Sequence, residues 1–376
     1  MEFIMNVTII GGGNIGMCLA GEISRVKGYD VTIYASRPEQ FDDRIKIVDD
    51  EKDITFWSGL IHATDDLSEA VKDADVILCT FPSHLRKKLI AEMEAFVKPD
   101  AFVGFFPGYG GAELYCEPLM KKGVSIFALQ KVPYVARTKE RGKVAGLMSK
   151  KDKILVAALP NNKTDEIAHL LEDMLLIKCA RLKNYMAATL LPGNPLLHTS
   201  GSVIYLDDYK PGQVFPEQIY YYQSWTDECS EFICRFSDEM MEVCDKLPID
   251  LSEVDSIQKY YESPTPQDLT RKFHSIPSYY PLVLPMEKTA EGYIPDFNSR
   301  FFTEDIPNGV CIIKALAQFV NVKTPTVDKV LDWYYRMTGK EYFRKDGSYG
   351  KDINETAIPQ INGIDTLDKL KEFYLR

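Results

Sequence analysis

The sequence predicts an α/β domain followed by an all-α domain, on three observations. A strand-forming run, Asn6-Val7-Thr8-Ile9-Ile10, opens directly into Gly11-Gly12-Gly13-Asn14-Ile15-Gly16. Apolar residues at helical spacing follow at once: Ile15, Cys18, Leu19, Ile23 and Val26. From about Lys183 the period changes from 2 to 3.6 and strands largely disappear. Residues 1–182 therefore read as a doubly wound, Rossmann-type domain and 183–376 as an all-helical one, since 376 residues exceed one compact core.

The glycine run sets the first chemistry. Gly11 turns the chain out of the strand, Gly13 lets a pyrophosphate approach bare backbone, and Gly16 lets the helix lie close on the sheet. The N–H groups of Gly13, Asn14, Ile15 and Gly16 then face the phosphates at the positive end of the helix. A second strand, Asp30 to Ala35, ends in Ala35-Ser36-Arg37, where an NAD site usually carries a carboxylate for the ribose 2′-hydroxyl. Ser36 and Arg37 suit a 2′-phosphate instead, so NADP(H) is favoured over NAD(H). The bland alternative is that Arg37 is a solvated loop residue.

Ile54 to Leu60 reads as a short strand near a sheet edge, Asp65 to Ala74 as a helix, and Asp75 to Thr80 as a buried strand. Thr80 and Pro82, at its carboxyl end, are expected to line the nicotinamide half of the cofactor. Residues 84–96 read as a helix and Ala101 to Phe106 as a strand that opens into the loop Pro107-Gly108-Tyr109-Gly110-Gly111. Strand-like segments follow at 125–129, 144–147 and 154–159, and a helix over 164–176 closes the domain. Gln130 to Arg137 is either an exposed connector or, through Tyr134, a segment that touches substrate. In the second half, Phe215 to Leu247 reads as one long amphipathic helix, Ser263 to Tyr280 as proline-rich loop, and 308–319 and 326–338 as further helices.

Composition excludes several classes. A net charge of −11 argues against a general nucleic-acid or anionic-membrane surface. Apolar runs stop short of the ~20 residues a membrane span needs, and the N-terminus shows no basic n-region or cleavage site. Eight cysteines without a C-x-x-C pair, and five dispersed histidines, support neither a metal site nor a disulfide framework. A cytoplasmic protein with free thiols is expected.

Two later stretches are unlike ordinary helix text: Leu191-Pro192-Gly193-Asn194-Pro195-Leu196-Leu197-His198-Thr199-Ser200-Gly201 and Asn298-Ser299-Arg300-Phe301-Phe302-Thr303-Glu304-Asp305-Ile306-Pro307-Asn308-Gly309. Each has a plain account as a helix start, with Asn194 ahead of Pro195 and carboxylates ahead of Pro307. Together they offer more. Hydride transfer to a carbonyl or imine calls for a proton donor such as His198, a carboxylate such as Asp305 to orient it, and a cation such as Arg300 for an acidic substrate.

With those residues in view, the chain resembles the octopine/nopaline (opine) dehydrogenase family over most of its length. The resemblance rests on the glycine fingerprint, on Pro133-Tyr134-x-x-Arg137, on Asn194-Pro195-x-x-His198, and on Arg300-x-x-x-Glu304-Asp305-Ile306-Pro307-x-Gly309. It implies a helical domain of the 6-phosphogluconate-dehydrogenase type. It also implies reductive condensation of an amino acid with a 2-oxo acid, using NADH or NADPH, to an N-(carboxyalkyl) amino acid. The family's catalytic histidine falls on His198, its partner aspartate on Asp305 and its substrate arginine on Arg300. Asn194 and Tyr134, within the same motifs, are taken as further substrate contacts. The partners implied are those two small molecules, and a homodimer is the assembly considered. Two alternatives stay open: a ketopantoate-like reductase of a 2-oxo acid without an amine partner, and a non-catalytic NADP-binding regulator.

Overall fold

The last four residues of Met5–Ile10 (β1) are all buried. A strand buried on both faces belongs inside a parallel sheet with helices on either side. Its polar member, Thr8, satisfies its hydroxyl by donating to Ala70 O. The computed structural model describes residues 4–191 and 193–376, so Pro192 of the first unusual stretch lies outside the described residues.

In chain order β1 is followed by β2 (Tyr29–Tyr34), β3 (Lys46–Asp49), β4 (Ile54–Trp57), β5 (Ile61–Thr64) and β6 (Val76–Cys79). Next come β7 (Phe102–Phe105), β8 (Ser125–Leu129), β9 (Tyr134–Glu140), β10 (Val144–Lys150), β11 (Lys153–Leu159) and β12 (Lys178–Arg181). The main sheet has the order β12-β11-β8-β7-β6-β1-β2-β5. Because β1 pairs in parallel with β2 on one side and β6 on the other, strand order reverses at β1. The carboxyl ends of β1 and β6 therefore flank the crevice where such sheets bind ligands. Only β11 meets its neighbour β8 antiparallel among the described pairs of this sheet. The helices of this unit are α1 (Asn14–Ile23), α2 (Leu67–Val71), α3 (Arg86–Glu94), α4 (Glu117–Lys121), α5 (Thr164–Leu175) and α6 (Met186–Thr189).

A second sheet, ordered β4-β3-β10-β9, was not apparent from the sequence. It lies against α1: Asn14 Oδ1 accepts from Thr138 N at 2.8 Å, and Cys18 Sγ lies 3.9 Å from Gly146 O. This sheet corrects the reading of Gln130 to Arg137. Along β9, Tyr134 and Ala136 point inward and are buried, whereas Val135 and Arg137 are exposed, the period-2 alternation of a half-covered strand. Tyr134 is 1% exposed and sits in the same hydrophobic cluster as Met17, Leu19 and Ile47. It packs in the core of this unit.

The chain divides into two compact units, the first running to Thr189 and regaining Glu372–Arg376, the second spanning Leu190–Lys371. The division thus falls seven residues beyond the expected 182/183, because α6 packs with the first unit. The returning C-terminus has a buried anchor. Glu113, wholly buried, accepts from Thr189 Oγ1 at 2.6 Å and from Tyr374 OH at 2.7 Å.

The second unit contains α7 (Asn194–Leu206), α8 (Asp227–Lys246), α9 (Ile257–Tyr260), α10 (Pro266–Ser275), α11 (Arg300–Thr303), α12 (Cys311–Phe319) and α13 (Pro325–Thr338). A hairpin, β13 (Met286–Lys288) with β14 (Tyr293–Pro295), interrupts the helices. Two expectations are corrected here. The long helix starts only at Asp227, where Thr226 caps it by accepting from Cys229 N at 3.3 Å. Residues before it form isolated bridges and a turn instead: Phe215 bridges Tyr293, Tyr220 bridges Val283, and 221–224 turn the chain into the helix. The proline-rich segment holds a helix, α10, with Thr265 as its cap and Pro266 at its first position. Leu269 and Phe273, four apart, form its buried face.

Candidate active site

The nucleotide edge is shaped by what its glycines permit. Gly11 adopts φ +117°, and a Cβ there would stand 2.6 Å from Thr80 Oγ1. A Cβ on Gly16 would stand 1.8 Å from Gly11 O, so α1 could not lie where it does. At Gly13 a Cβ would meet nothing within 4 Å: that face is open. Open space here, beside first-turn N–H groups that have no partner inside the helix, fits a dinucleotide pyrophosphate. The first helical bond, Met17 N to Gly13 O at 3.0 Å, leaves the N–H groups of Asn14, Ile15 and Gly16 ahead of the ladder.

The other expected cofactor residues divide by role. Thr80 donates its hydroxyl to Gly11 O at 2.9 Å and to Ile10 O at 3.2 Å, so it braces the glycine turn. The Asn14 side-chain oxygen is committed to Thr138, which leaves its backbone N–H for a phosphate. Ser36 and Arg37 are exposed just beyond β2, and Pro82 is half-buried after β6. Arg86, at the start of α3, is buried and holds the loop after β7 through Tyr109 O and Pro107 O. Nothing in the sequence singles out Arg86 for this role.

In the second unit, α7 carries His198 and the segment after α11 carries Asp305. His198 Nδ1 donates to Asp305 Oδ2 at 2.6 Å, across 107 positions of sequence. With Nδ1 so engaged, Nε2 is the ring nitrogen placed to exchange a proton. The Asp305 side chain is 3% exposed and that of His198 is 15%. Burial pushes the Asp305 carboxyl up, and the hydrogen bond and charge of His198 pull it back. A carboxylate this dry has little water to stabilise it, so the hydrogen bond from His198 is its main compensation.

Local chain chemistry explains how Asp305 reaches that position. Pro307 has no N–H to give, and residues Ile306–Val310 form a π-turn in which Val310 N reaches back to Asp305 O at 3.0 Å. Gly309, within that turn, lets α7 come close: a Cβ there would stand 2.4 Å from Pro195 Cγ. Arg300 pairs through Nε with Glu304, four residues on, and its side chain is 64% exposed while that of Glu304 is buried. Asn194 is exposed at the first position of α7. The structure thus brings His198, Asp305, Arg300 and Glu304 together. Two aromatic neighbours complete the surroundings of His198: Phe301, which nothing in the sequence singles out, and Tyr221, one of the Tyr220–Trp225 aromatics that the sequence offers as pocket walls. The Phe301 ring stacks on the imidazole with centroids 3.6 Å apart, and Tyr221 OH lies 2.6 Å from His198 O.

Known proteins align with both halves of this arrangement. The NAD/NADP octopine/nopaline dehydrogenase α-helical domain matches residues 181–338, and the NAD-dependent glycerol-3-phosphate dehydrogenase N-terminus matches residues 6–105. A tauropine dehydrogenase of Arabella iricolor is 26% identical, over 97% of this chain and 99% of its own length. An opine dehydrogenase of Haliotis discus hannai is 28% identical, over 97% and 98%. An octopine dehydrogenase structure with NADH and pyruvate superposes with a TM-score of 0.86 at 26% identity, covering 97% of each chain. The helical unit of this chain matches the octopine/nopaline dehydrogenase family, and over nearly its whole length the chain is similar to opine dehydrogenases. The Rossmann-type sheet and helical second unit are those of an opine dehydrogenase, and the family acts as NAD(P)-dependent oxidoreductases on CH–NH groups. In these opine-dehydrogenase terms, the spacing of Arg300 and Glu304 was a readable signal for an ion pair on one helical turn. Phe301 carried no such signal, because an aromatic residue beside a charge reads as ordinary core.

Proposed function

We propose that this chain condenses the amine of an amino acid with a 2-oxo acid and reduces the product with a nicotinamide dinucleotide, giving an N-(carboxyalkyl) amino acid. The observation that carries the assignment of roles is the buried His198–Asp305 bond, one helical turn from an exposed arginine. His198 Nε2 gives or takes the proton exchanged as the amine and carbonyl condense with loss of water and as the resulting C=N bond is reduced. Asp305 steadies the positive ring, and Arg300 takes a substrate carboxylate, with Asn194 at the start of the histidine's own helix as a further contact. Glu304 fixes the Arg300 Nε and so aims the outer edge of the guanidinium. The bound dinucleotide supplies the hydride.

The carboxylate-free end of β2 supports NADP(H) over NAD(H). Ala35 is buried where an acidic residue would otherwise stand, and Ser36 and Arg37 are exposed after it. The eight cysteines are free, buried thiols, which supports a reducing cytoplasmic setting. Among the described residues no helix is long and apolar enough to cross a membrane.

The deciding assay follows oxidation of NADPH and NADH with 2-oxo acids alone and then with a panel of amino acids. Oxidation that requires both substrates supports the proposal, and oxidation with the oxo acid alone sinks it. His198→Ala should abolish turnover while leaving cofactor affinity intact, and normal turnover would remove the histidine from its role.

A further inference from the structure

His198 is held on three sides. Asp305 takes Nδ1 in the plane of the ring. Tyr221 fixes the backbone beneath it, sharing its hydroxyl proton between His198 O at 2.6 Å and Leu197 O at 2.8 Å, and stands edge-on to the imidazole at 6.4 Å and 89°. Gly201 makes room for this tyrosine, since a Cβ there would lie 2.5 Å from Tyr221 OH. The third side is Phe301, whose ring lies flat on the imidazole at 3.6 Å and 5°.

That third contact is closer and flatter than the surrounding aromatic packing, in which Tyr222 and Tyr279 stack at 4.0 Å and 19°. Neutral aromatic pairs prefer offset or edge-on arrangements with centroids about 4.5–7 Å apart. Tyr221 meets both rings in that manner, with Phe301 at 5.6 Å and 88°. A flat, close face is instead how a π surface receives a planar, delocalised cation. The hydrogen bond to Asp305 also leaves one freedom unrestrained, because a ring held at a single nitrogen can rock about that bond. A flat neighbour at contact distance removes the rocking.

We propose that Phe301 is a positioning residue for His198: its face fixes the imidazole plane, and so the direction of Nε2, and favours the ring while it is charged. Phe301 follows Arg300 on the single turn of α11, so the group that takes the substrate carboxylate and the platform under the histidine are set by one short helix. The proposal rests on His198 being the proton-handling group, and its test separates the two.

Phe301→Leu keeps most of the volume and removes the flat face. With amino acid, oxo acid and cofactor all present, its kcat should fall about tenfold to a hundredfold, the scale of a misdirected reacting group. The KM for the dinucleotide should not move. Phe301→Tyr, which keeps the face, should stay within about threefold of the native kcat on the same grounds. A Phe301→Leu kcat within about twofold of native, or a Phe301→Tyr enzyme as slow as Phe301→Leu, overturns the proposal. If Phe301→Leu does not melt cooperatively, Phe301→Met takes its place. His198→Ala is measured beside them. If it is inactive while Phe301→Leu is normal, only the role of Phe301 falls; if it turns over normally, the assignment of the histidine falls first.

Discussion

Replacing Asp305 by asparagine tests the dyad with the least change of shape. The amide keeps an oxygen where Oδ2 now accepts from His198 Nδ1 at 2.6 Å, so the ring can keep its place, but the negative charge is gone. The side chain is 3% exposed, so solvent screens that charge poorly and its removal is felt in the reaction. A charge-assisted hydrogen bond contributes about 1.5–3 kcal/mol against about 1 for a neutral one. The unscreened attraction to a transient imidazolium adds a similar amount. A loss of roughly 2–4 kcal/mol of transition-state stabilisation slows turnover about 30-fold to 1000-fold. Stability should move the other way or not at all, because the substitution removes a desolvated charge that burial already disfavours. The assay is steady-state NAD(P)H oxidation with both substrates saturating, beside a thermal melt. A kcat within about threefold of native, in a protein that melts normally, would show that Asp305 is not the group that steadies the histidine.

Three further outcomes are expected. Arg37→Asp should weaken NADPH by about tenfold to a hundredfold, the scale of a lost charge-assisted contact, and barely change NADH; equal effects in fluorescence titrations would refute the preference. Gly13→Ala adds a methyl into open space, so its melt should match native while dinucleotide affinity falls, whereas Gly16→Ala, forced against Gly11 O, should lower the melting temperature. Burial raises the Glu113 carboxyl, so the folded protein binds its proton more tightly than the unfolded chain, and this contribution is present below the unfolded pKa of about 4.3 and is lost as pH rises through the raised folded value. Glu113→Gln should therefore gain stability relative to native between pH 5 and pH 8, and a pH-independent difference in melting temperature would contradict it.

The parts legible in the sequence were those whose physics is local. Gly11 and Gly16 announce themselves because the steric demand lies within a few residues of each, and the strand before and helix after supply the context. The change of period near Lys183 marked the helical half for the same reason. What escaped depended on partners far along the chain. Lys46-Ile47-Val48-Asp49 is too short and too charged to read as a strand until β10 pairs with it, and the burial of Tyr134 appears only once its strand packs with Met17 and Leu19. Pro266 and its neighbouring prolines read as breakers, although Thr265 before Pro266 spells a helix start. His198 and Asp305 could be singled out by type, but their 2.6 Å contact spans 107 positions and needed coordinates.

The two halves of the chemistry are built from different materials, and their tolerance of change should differ accordingly. The nucleotide edge is made of backbone: N–H groups at the start of α1, a glycine in the left-handed region, and an open face at Gly13. Such a site survives wide variation in side chains as long as no Cβ intrudes. The site proposed to handle the proton is made of side chains nested against one another, with Asp305 on His198, Phe301 beneath the ring, and Tyr221 under the backbone. Its glycines serve that nest rather than a ligand, since Gly201 admits Tyr221 and Gly309 admits Pro195. A buried carboxylate and a stacked ring have no water to fill a gap left by a smaller neighbour. Substitutions one contact away from His198 should therefore reach the proton, whereas substitutions one contact away from the pyrophosphate site should leave it unmoved unless they shift the backbone.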